Sequence, residues 1–365
     1  MDRRSFIKTA AAIPAATWIP SVFAQQKPFD PKPGAWRSFE VASRVEVLKP
    51  AGATRVWIPL PMAYETDYQK PIDNVWSGNY REAKYFRDPV YGAPGLFVEW
   101  AEAEKAPFVE VTSRFQTRDR AVDFSKPDPT LRPDPTTLKF YTAPTELIPT
   151  DGIVRQTARE ITQGAKTDLQ KARAIYDWVV ENTFRDPKTR GCGVGDVKAM
   201  LETGNLSGKC ADLNALYVGL ARAAGLPARD VYGIRVAKSN FGYRSLGAGT
   251  ENITRAQHCR AEVFLNGYGW VPVDPADVRK VVLEEKPQPT TLADPLVPAV
   301  REKLFGAWEM NWLAYNDAHD LALPNSKSAK IGFFMYPQAE TAEGQLDSLD
   351  PDNFRYTIKA REIVG

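Results

Sequence analysis

The chain has 365 residues, 43% of them hydrophobic and 25% charged, with 47 Lys and Arg set against 45 Asp and Glu. The composition is that of an ordinary globular protein, and the length suits about two domains. The near balance of charge excludes the basic footprint of a nucleic-acid binder or of a protein held on an anionic membrane surface. Three cysteines are too few for a disulfide scaffold, so stability must come from a hydrophobic core.

Residues 1–24 read as an export signal and not as part of the fold. Arg3-Arg4, followed by Ser5, Phe6 and Lys8, resembles a twin-arginine signal. The apolar run from Thr9 to Ala24 is short and broken by Pro14 and Pro20, which argues against a stable membrane span. Val22-Phe23-Ala24 offers a cleavage site, and no cysteine precedes Cys192, which excludes a lipid anchor there. Cleavage would remove Arg3, Arg4, Lys8 and Asp2 and leave acidic and basic residues equal in number. A twin-arginine signal is read by a receptor and implies export after folding, so the expected location is the periplasm. An ordinary secretory signal with two chance arginines is the alternative. No later apolar stretch is long enough to span a bilayer.

Residues 27–124 are rich in strand signals. Val41 to Val47, Arg55 to Leu60, Leu96 to Trp100 and Phe108 to Phe115 alternate or cluster β-branched and aromatic residues, which predicts a small β-sandwich domain. Residues 56–61, VWIPLP, read as an edge strand because Pro59 and Pro61 cannot donate to a ladder. Residues 125–150 carry Pro127, Pro129, Pro133, Pro135, Pro144 and Pro149 and predict an extended linker. Helical patterning runs through 151–186, with Ala172, Ile175, Val179 and Val180 as an inward stripe. From 151 to 365 the chain is expected to form the domain that carries the chemistry, with an extension from about 281.

Residues 208–229, GKCADLNALYVGLARAAGLPAR, deliver Cys210 to the first turn of a helix. Leu213, Leu216, Tyr217, Leu220 and Ala224 step by three or four, so one face packs inward. Gly225 and Pro227 end the helix. At a helix start, free N–H groups and the dipole favour thiolate, the nucleophilic form of cysteine. Lys209 adds a positive charge. Cys192, in a glycine-flanked loop, is a free thiol, a disulfide partner of Cys259 or a wall of the cleft. A lone cysteine is more often core, and the downstream hairpin is what outweighs that reading for Cys210.

Only His258 and His319 can serve as a base. Residues 258–277 read as a β-hairpin, with a strand over 258–265, a turn near Asn266-Gly267-Tyr268-Gly269 and a return from Trp270. Ala261, Val263, Val271 and Val273 want one face. Pairing Val263 with Val271 sets Glu262 against Pro272, Phe264 against Trp270 and Arg260 against Asp274. His258 shares the second face with Asp274 as a diagonal neighbour, close enough for a carboxylate to hold an imidazole. This register predicts a three-residue loop, or a bulged one, with a glycine in the left-handed position. Asp277 competes with Asp274 but lies on the opposite strand parity, which argues against it unless the strand has ended. His319 reads as a satisfied surface or core histidine.

A cysteine nucleophile, a histidine base and a carboxylate that orients it together support acyl transfer through a thioester. The backbone N–H of Cys210 is the natural first donor to the oxyanion, and the second donor is left open. Zinc on Cys192, Cys210, Cys259 and His258 is disfavoured, since no C-x-x-C pair exists and the side chains of His258 and Cys259 diverge along a strand. No phosphate-binding glycine loop, internal repeat or low-complexity tract is present, and no cofactor is expected. Trp308, Trp312 and Tyr315 either line a substrate groove or pack, and packing is the commoner fate. The segments IGFFMYPQAE and FRYTIKAREI look like strands that finish a sheet.

The order of these blocks resembles the transglutaminase-like superfamily of papain-type thiol enzymes. The matching pieces are Gly208-Lys209-Cys210-Ala211-Asp212-Leu213, the segment 224–229 (AGLPAR), His258 with Glu262 and Val263, and Gly269 to Pro275 (GWVPVDP). The resemblance covers roughly residues 150–280. It implies an α+β fold in which a Cys helix packs on an antiparallel sheet, preceded here by the small all-β sandwich. It also implies Cys210, His258 and Asp274 as the triad and a peptide or protein amide as substrate. Cys259 departs from the pattern, since relatives usually carry a small residue there. Hydrolysis is favoured over transfer to an amine. A periplasmic binding or scaffolding module that keeps an unused site is the alternative of a different class.

Overall fold

The computed structural model describes residues 27–285 and 291–363. The expected export signal lies outside the described residues. In β1 (Arg37–Val47) alternate residues from Phe39 to Val47 are buried, the pattern of a strand with one face on a core. β2 (Thr54–Pro59), β3 (Gln69–Gly78), β4 (Glu82–Arg87), β5 (Pro94–Trp100) and β6 (Phe108–Thr117) follow. They divide between two antiparallel sheets whose inner side chains share one cluster, including Val45, Val47, Val56, Ile58, Val98, Trp100, Val109 and Val111. The two sheets pack face to face, as the alternation predicts.

A short strand, β7 (Arg120–Ala121), leads into the proline-dense segment. That segment is not extended throughout. α1 (Pro135–Thr142) forms there because Asp134 caps it, accepting from the N–H groups of Thr136 and Thr137, and because Pro135 sits at the first helical position, where a missing N–H costs nothing. The expected helical region then appears as two helices, α2 (Gly152–Ile161) and α3 (Asp168–Asn182), broken near Gly164 at φ 85° and restarted by a Thr167–Gln170 capping box. Ala172, Ile175, Val179 and Val180 are buried as expected, with Tyr176 between them.

β8 (Phe184–Arg185), α4 (Val197–Thr203) and β9 (Ser207–Gly208) precede α5 (Cys210–Ala223). The α5 helix is buried on every side from Cys210 to Arg222, where a single inward face was expected. Its other faces are small (Ala211, Ala215, Gly219, Ala221) or find polar partners. Arg222 donates to the carbonyls of Ala228 and Ala143. α5 packs on β10 (Ala228–Arg235) and β11 (Gln257–Leu265) on one side and on the α2–α4 group on the other. Burial of each of Leu213, Leu216 and Leu220 contributes on the order of 1.5–3 kcal/mol.

β11 returns as β12 (Gly269–Val273), and α6 (Pro275–Glu284) and α7 (Val297–Lys303) follow. After β13 (Ala307–Trp308) comes β14 (Trp312–Asn316), which completes an antiparallel sheet of order β12-β11-β10-β14. β15 (His319–Leu321) and β16 (Ile331–Phe333) form a small ribbon. The tail then adds β17 (Gln338–Thr341), β18 (Gly344–Leu346) and β19 (Phe354–Ile363). These join the N-terminal sheets, giving the orders β19-β1-β6-β3 and β18-β17-β2-β5-β4. The two ends of the chain therefore build one β-unit, and the tail beyond 281 is not a separate appendage. No helix of the described residues is long and apolar enough to cross a membrane.

β2 corrects the edge-strand expectation, since it lies between β17 and β5. Its one proline is harmless because β17 pairs only with Arg55, Val56 and Trp57, and Pro59 is the last strand residue, opposite Gly95, with Pro61 beyond the strand. If the tail belongs to the N-terminal core, Phe354→Ala should cost about 3–5 kcal/mol of unfolding free energy, measured by urea titration. A cost under about 1 kcal/mol would show that the tail is only draped over that core.

Candidate active site

Lys209 is extended and α5 starts at Cys210, so the sulfur leaves from the first helical position. The N–H of Cys210 donates to no group among the described residues. Asp212, within the same turn, holds the approach. Its carboxylate accepts from the backbone N–H groups of Lys209, Val194 and Gly195, each at 2.9 Å. The Cys192 loop is thereby stitched to the start of the helix, and Ala211 N–H donates to the Cys192 carbonyl at 2.9 Å. Two glycines make room. A Cβ on Gly193 (φ 94°) would stand 1.8 Å from Asp212 Oδ2, and one on Gly208 would stand 2.4 Å from it. The sequence pattern marks Asp212 only as part of the matched segment 208–213, although an acidic residue at N3 is also a helix-start signal.

The hairpin has the predicted register. Ala261 pairs with Val273, Glu262 with Pro272, Val263 with Val271, and Phe264 with Trp270. The loop has three residues, and Gly267 and Gly269 take φ of 87° and 69°. His258 Nε2 lies 2.7 Å from Asp274 Oδ2. Asp274 Oδ1 accepts from the N–H of Asp277 at 3.0 Å, which makes Asp274 the N-cap of α6, and from Asn214 Nδ2 at 3.3 Å. Asn214 also donates to the Cys259 carbonyl at 2.8 Å, so one side chain of α5 ties the His258 strand to Asp274.

The parity argument against Asp277 fails, because β12 ends at Val273 and the chain turns into α6. Asp277 Oδ2 comes within 3.4 Å of the same imidazole nitrogen. Arg235 holds Asp277 through two contacts of 2.5 and 2.7 Å. His258, Asp274 and Asp277 are buried. Burial pushes the imidazole down, but the Asp277 carboxylate, against Arg235, and then Asp274 with its hydrogen bond lift His258 to about 9. Burial and the like charge of Asp277 push the Asp274 carboxyl up, whereas Arg235 keeps Asp277 well below the usual range against burial. Imidazole Nε2 is thus committed to carboxylates, and Nδ1 is left for the sulfur.

At Cys210, hydrogen bonds from Cys192 and Cys259 outweigh burial, and His258 adds a further hydrogen bond and its charge. Together they hold the thiol well below its ordinary value. Cys192 and Cys259 are pushed well up. All three cysteines are free. His258 lines the cavity with Cys210, whereas Cys259, on the other side of its strand, packs in the buried cluster with Cys192 and Cys210. The sulfurs still form no metal cage. Among the described residues, His258, Asp274 and Asp277 are the His, Cys, Asp or Glu set whose ligand atoms all fall within 4.8 Å of one another, and Arg235, Asn214 and backbone N–H groups already occupy those carboxylates.

The tail's tryptophans brace the backbone and do not line a groove. Trp312 Nε1 donates to the His258 carbonyl at 2.8 Å and Trp308 Nε1 to the Val273 carbonyl at 3.3 Å. The Arg260 guanidinium sits 4.8 Å from the Trp312 ring and 3.6 Å from Asp274 Oδ2. Tyr315 is buried as well. His319 is a core histidine beside Asp230 and Tyr232. Cys210 and His258 border a cavity of about 670 Å³, walled also by Cys192, Gln257, Tyr336 and Tyr356. Gln257 Nε2 is a buried donor with no partner among the described residues, a feature the sequence pattern did not single out.

Residues 155–275 match the Transglutaminase-like superfamily. The chain is 37% identical over 343 residues to an uncharacterized protein of Haemophilus influenzae, covering 89% of this chain and 91% of that protein. A solved structure of a candidate cysteine protease from Cytophaga hutchinsonii shares the fold, with a TM-score of 0.51 at 16% identity over 90% of this chain and 99% of that one.

The Asp212 clamp makes Gly193 sensitive. Gly193→Ala should cost at least about 2 kcal/mol in urea unfolding, through both the positive φ and the collision with Asp212. A cost below about 0.5 kcal/mol would mean that the loop is not pinned there.

Proposed function

Because the chain belongs to the transglutaminase-like superfamily, we propose that it is an exported thiol enzyme that opens peptide or peptide-like amides through a thioester on Cys210. One observation carries the reading, namely a cysteine at the first position of a buried helix that borders the same cavity as an imidazole held at Nε2 by Asp274 at 2.7 Å. Export rests on the Arg3-Arg4 leader and on the short, proline-broken apolar run behind it.

The steps follow from the charges. The Cys210 sulfur adds to the amide carbon, and the carbonyl electron pair moves onto oxygen. The free N–H of Cys210 is the first donor to that oxyanion. Collapse breaks the C–N bond, and His258 gives its Nδ1 proton to the leaving amine. Water then loses a proton to His258 as it adds to the thioester, and collapse releases the acid and restores the thiolate. Asp274 fixes the ring and its tautomer, and Asp277 adds charge that favours the imidazolium. No protected pocket for an acceptor amine is evident among the described residues of the cavity wall, and hydrolysis is favoured over transfer to an amine.

Alkylation by iodoacetamide with peptide mapping tests the reading. At pH 7 Cys210 should react at least about tenfold faster than a small model thiol, His258→Ala should remove most of that advantage, and Cys192 and Cys259 should lag. Mass spectrometry of exported peptides should then show cleaved amides, as new carboxyl and amino ends, that vanish in Cys210→Ala. A Cys210 no faster than the model thiol would favour a binding module with an unused site.

A further inference from the structure

The cavity over Cys210 is electrically one-sided. Arg185, Arg190, Lys209, Arg235, Arg255 and Lys280 line it, and no Asp or Glu does among the described residues. The chain as a whole is nearly neutral, so this is segregation and not composition. Three acids stand behind the lining. Glu284 serves Arg185 and Lys280, Asp347 pairs with Arg190 at 2.5 Å, and Asp277 pairs with Arg235. Lys209 and Arg255 have no ion-pair partner among the described residues. Lys209 is the residue next to the sulfur, and Arg255 lies on the loop just before the His258 strand. With the His258 imidazolium added to the six cations, and the Cys210 thiolate and Asp274 added to the three acids, a surplus of positive charge still remains inside a concave site, where low-dielectric walls strengthen its reach. Lys280 feels that surplus, its pKa lowered first by burial and then by Arg235.

We infer that the acyl donor is an acidic peptide, one that carries a carboxylate within a residue or two of the amide that Cys210 attacks. The thioester chemistry needs no positive wall at all, since the oxyanion is served next to the sulfur. Two cations without counter-ions on the cavity wall, Lys209 and Arg255, suit a carboxylate that arrives with the substrate. The inference rests on the thiol-enzyme reading and adds its substrate class.

The probe is a pair of alkylating agents of nearly equal size, anionic iodoacetate and neutral iodoacetamide. Their rate ratio at Cys210 should exceed that of a free thiol by about tenfold at low salt and should shrink as salt is raised. Arg255→Gln should lower the ratio about twofold to fivefold, the effect of one unit charge at several ångströms in water-like surroundings. Arg190→Gln, at a second exposed position, should act in the same direction. Protection of Cys210 should follow a glutamate-containing, C-terminally amidated peptide and a peptide with a free C-terminal carboxylate, and not their uncharged counterparts, and the stronger of the two shows which carboxylate is read. A ratio equal to that of the free thiol, or one unmoved by both substitutions, overturns the inference while leaving the thiol enzyme standing. Equal protection by inorganic phosphate overturns the peptide assignment. Slow reaction with both agents instead fails the reading on which the inference rests.

Discussion

The site depends on one pairing, Val263 against Val271. That register fixes which residues of β11 and β12 share a face, and a slip by a single residue would send His258 to the opposite side of the sheet from its carboxylate. The apolar demand of Ala261, Val263, Val271 and Val273 sets the register, and Gly267 and Gly269 permit the loop it requires. Two tryptophans reinforce it from the far end of the chain by binding the carbonyls of His258 and Val273. Asn214 then ties the hairpin to the helix that bears Cys210. Hydrophobic patterning places the catalytic candidates, and polar contacts trim their geometry.

Electrostatics makes the arrangement chemically useful. A buried imidazole alone would be neutral, and a buried thiol would stay protonated. Two carboxylates on one nitrogen reverse the first tendency, and the thiols of Cys192 and Cys259 with the imidazole reverse the second. Arg235 and Arg260 keep the paired acids from repelling each other, with Arg235 clamped on Asp277 and Arg260 beside Asp274. Buried charge of this kind is costly to assemble. Its concentration around a cleft is the pattern of a functional site more than of a stability device.

Much of this was legible in the residues. Helix start, hairpin register, loop length and the His258–Asp274 contact all follow from periodicity and side-chain parity, which are local properties. What escaped was non-local or fell where one element becomes another. Asp277 was discounted by strand parity, a rule that stops applying at the cap of α6. Pro59 suggested an edge, but which strand segment a neighbour pairs with is decided by β17, far along the chain. Nothing near residues 338–363 says that these strands close sheets begun at residue 37. The full burial of α5 was hidden because alanine and glycine on its other faces read as neutral in an amphipathic pattern.

The central claim is that carboxylates hold His258 protonated so that Cys210 can exist as thiolate. With only two histidines in the chain, an imidazole nitrogen NMR titration resolves the question directly. His258 should keep its charge up to about pH 9, while His319, forced neutral by burial and by Arg222, stays uncharged well below its ordinary value. A His258 midpoint at or below the ordinary value near 6.5 would contradict the account.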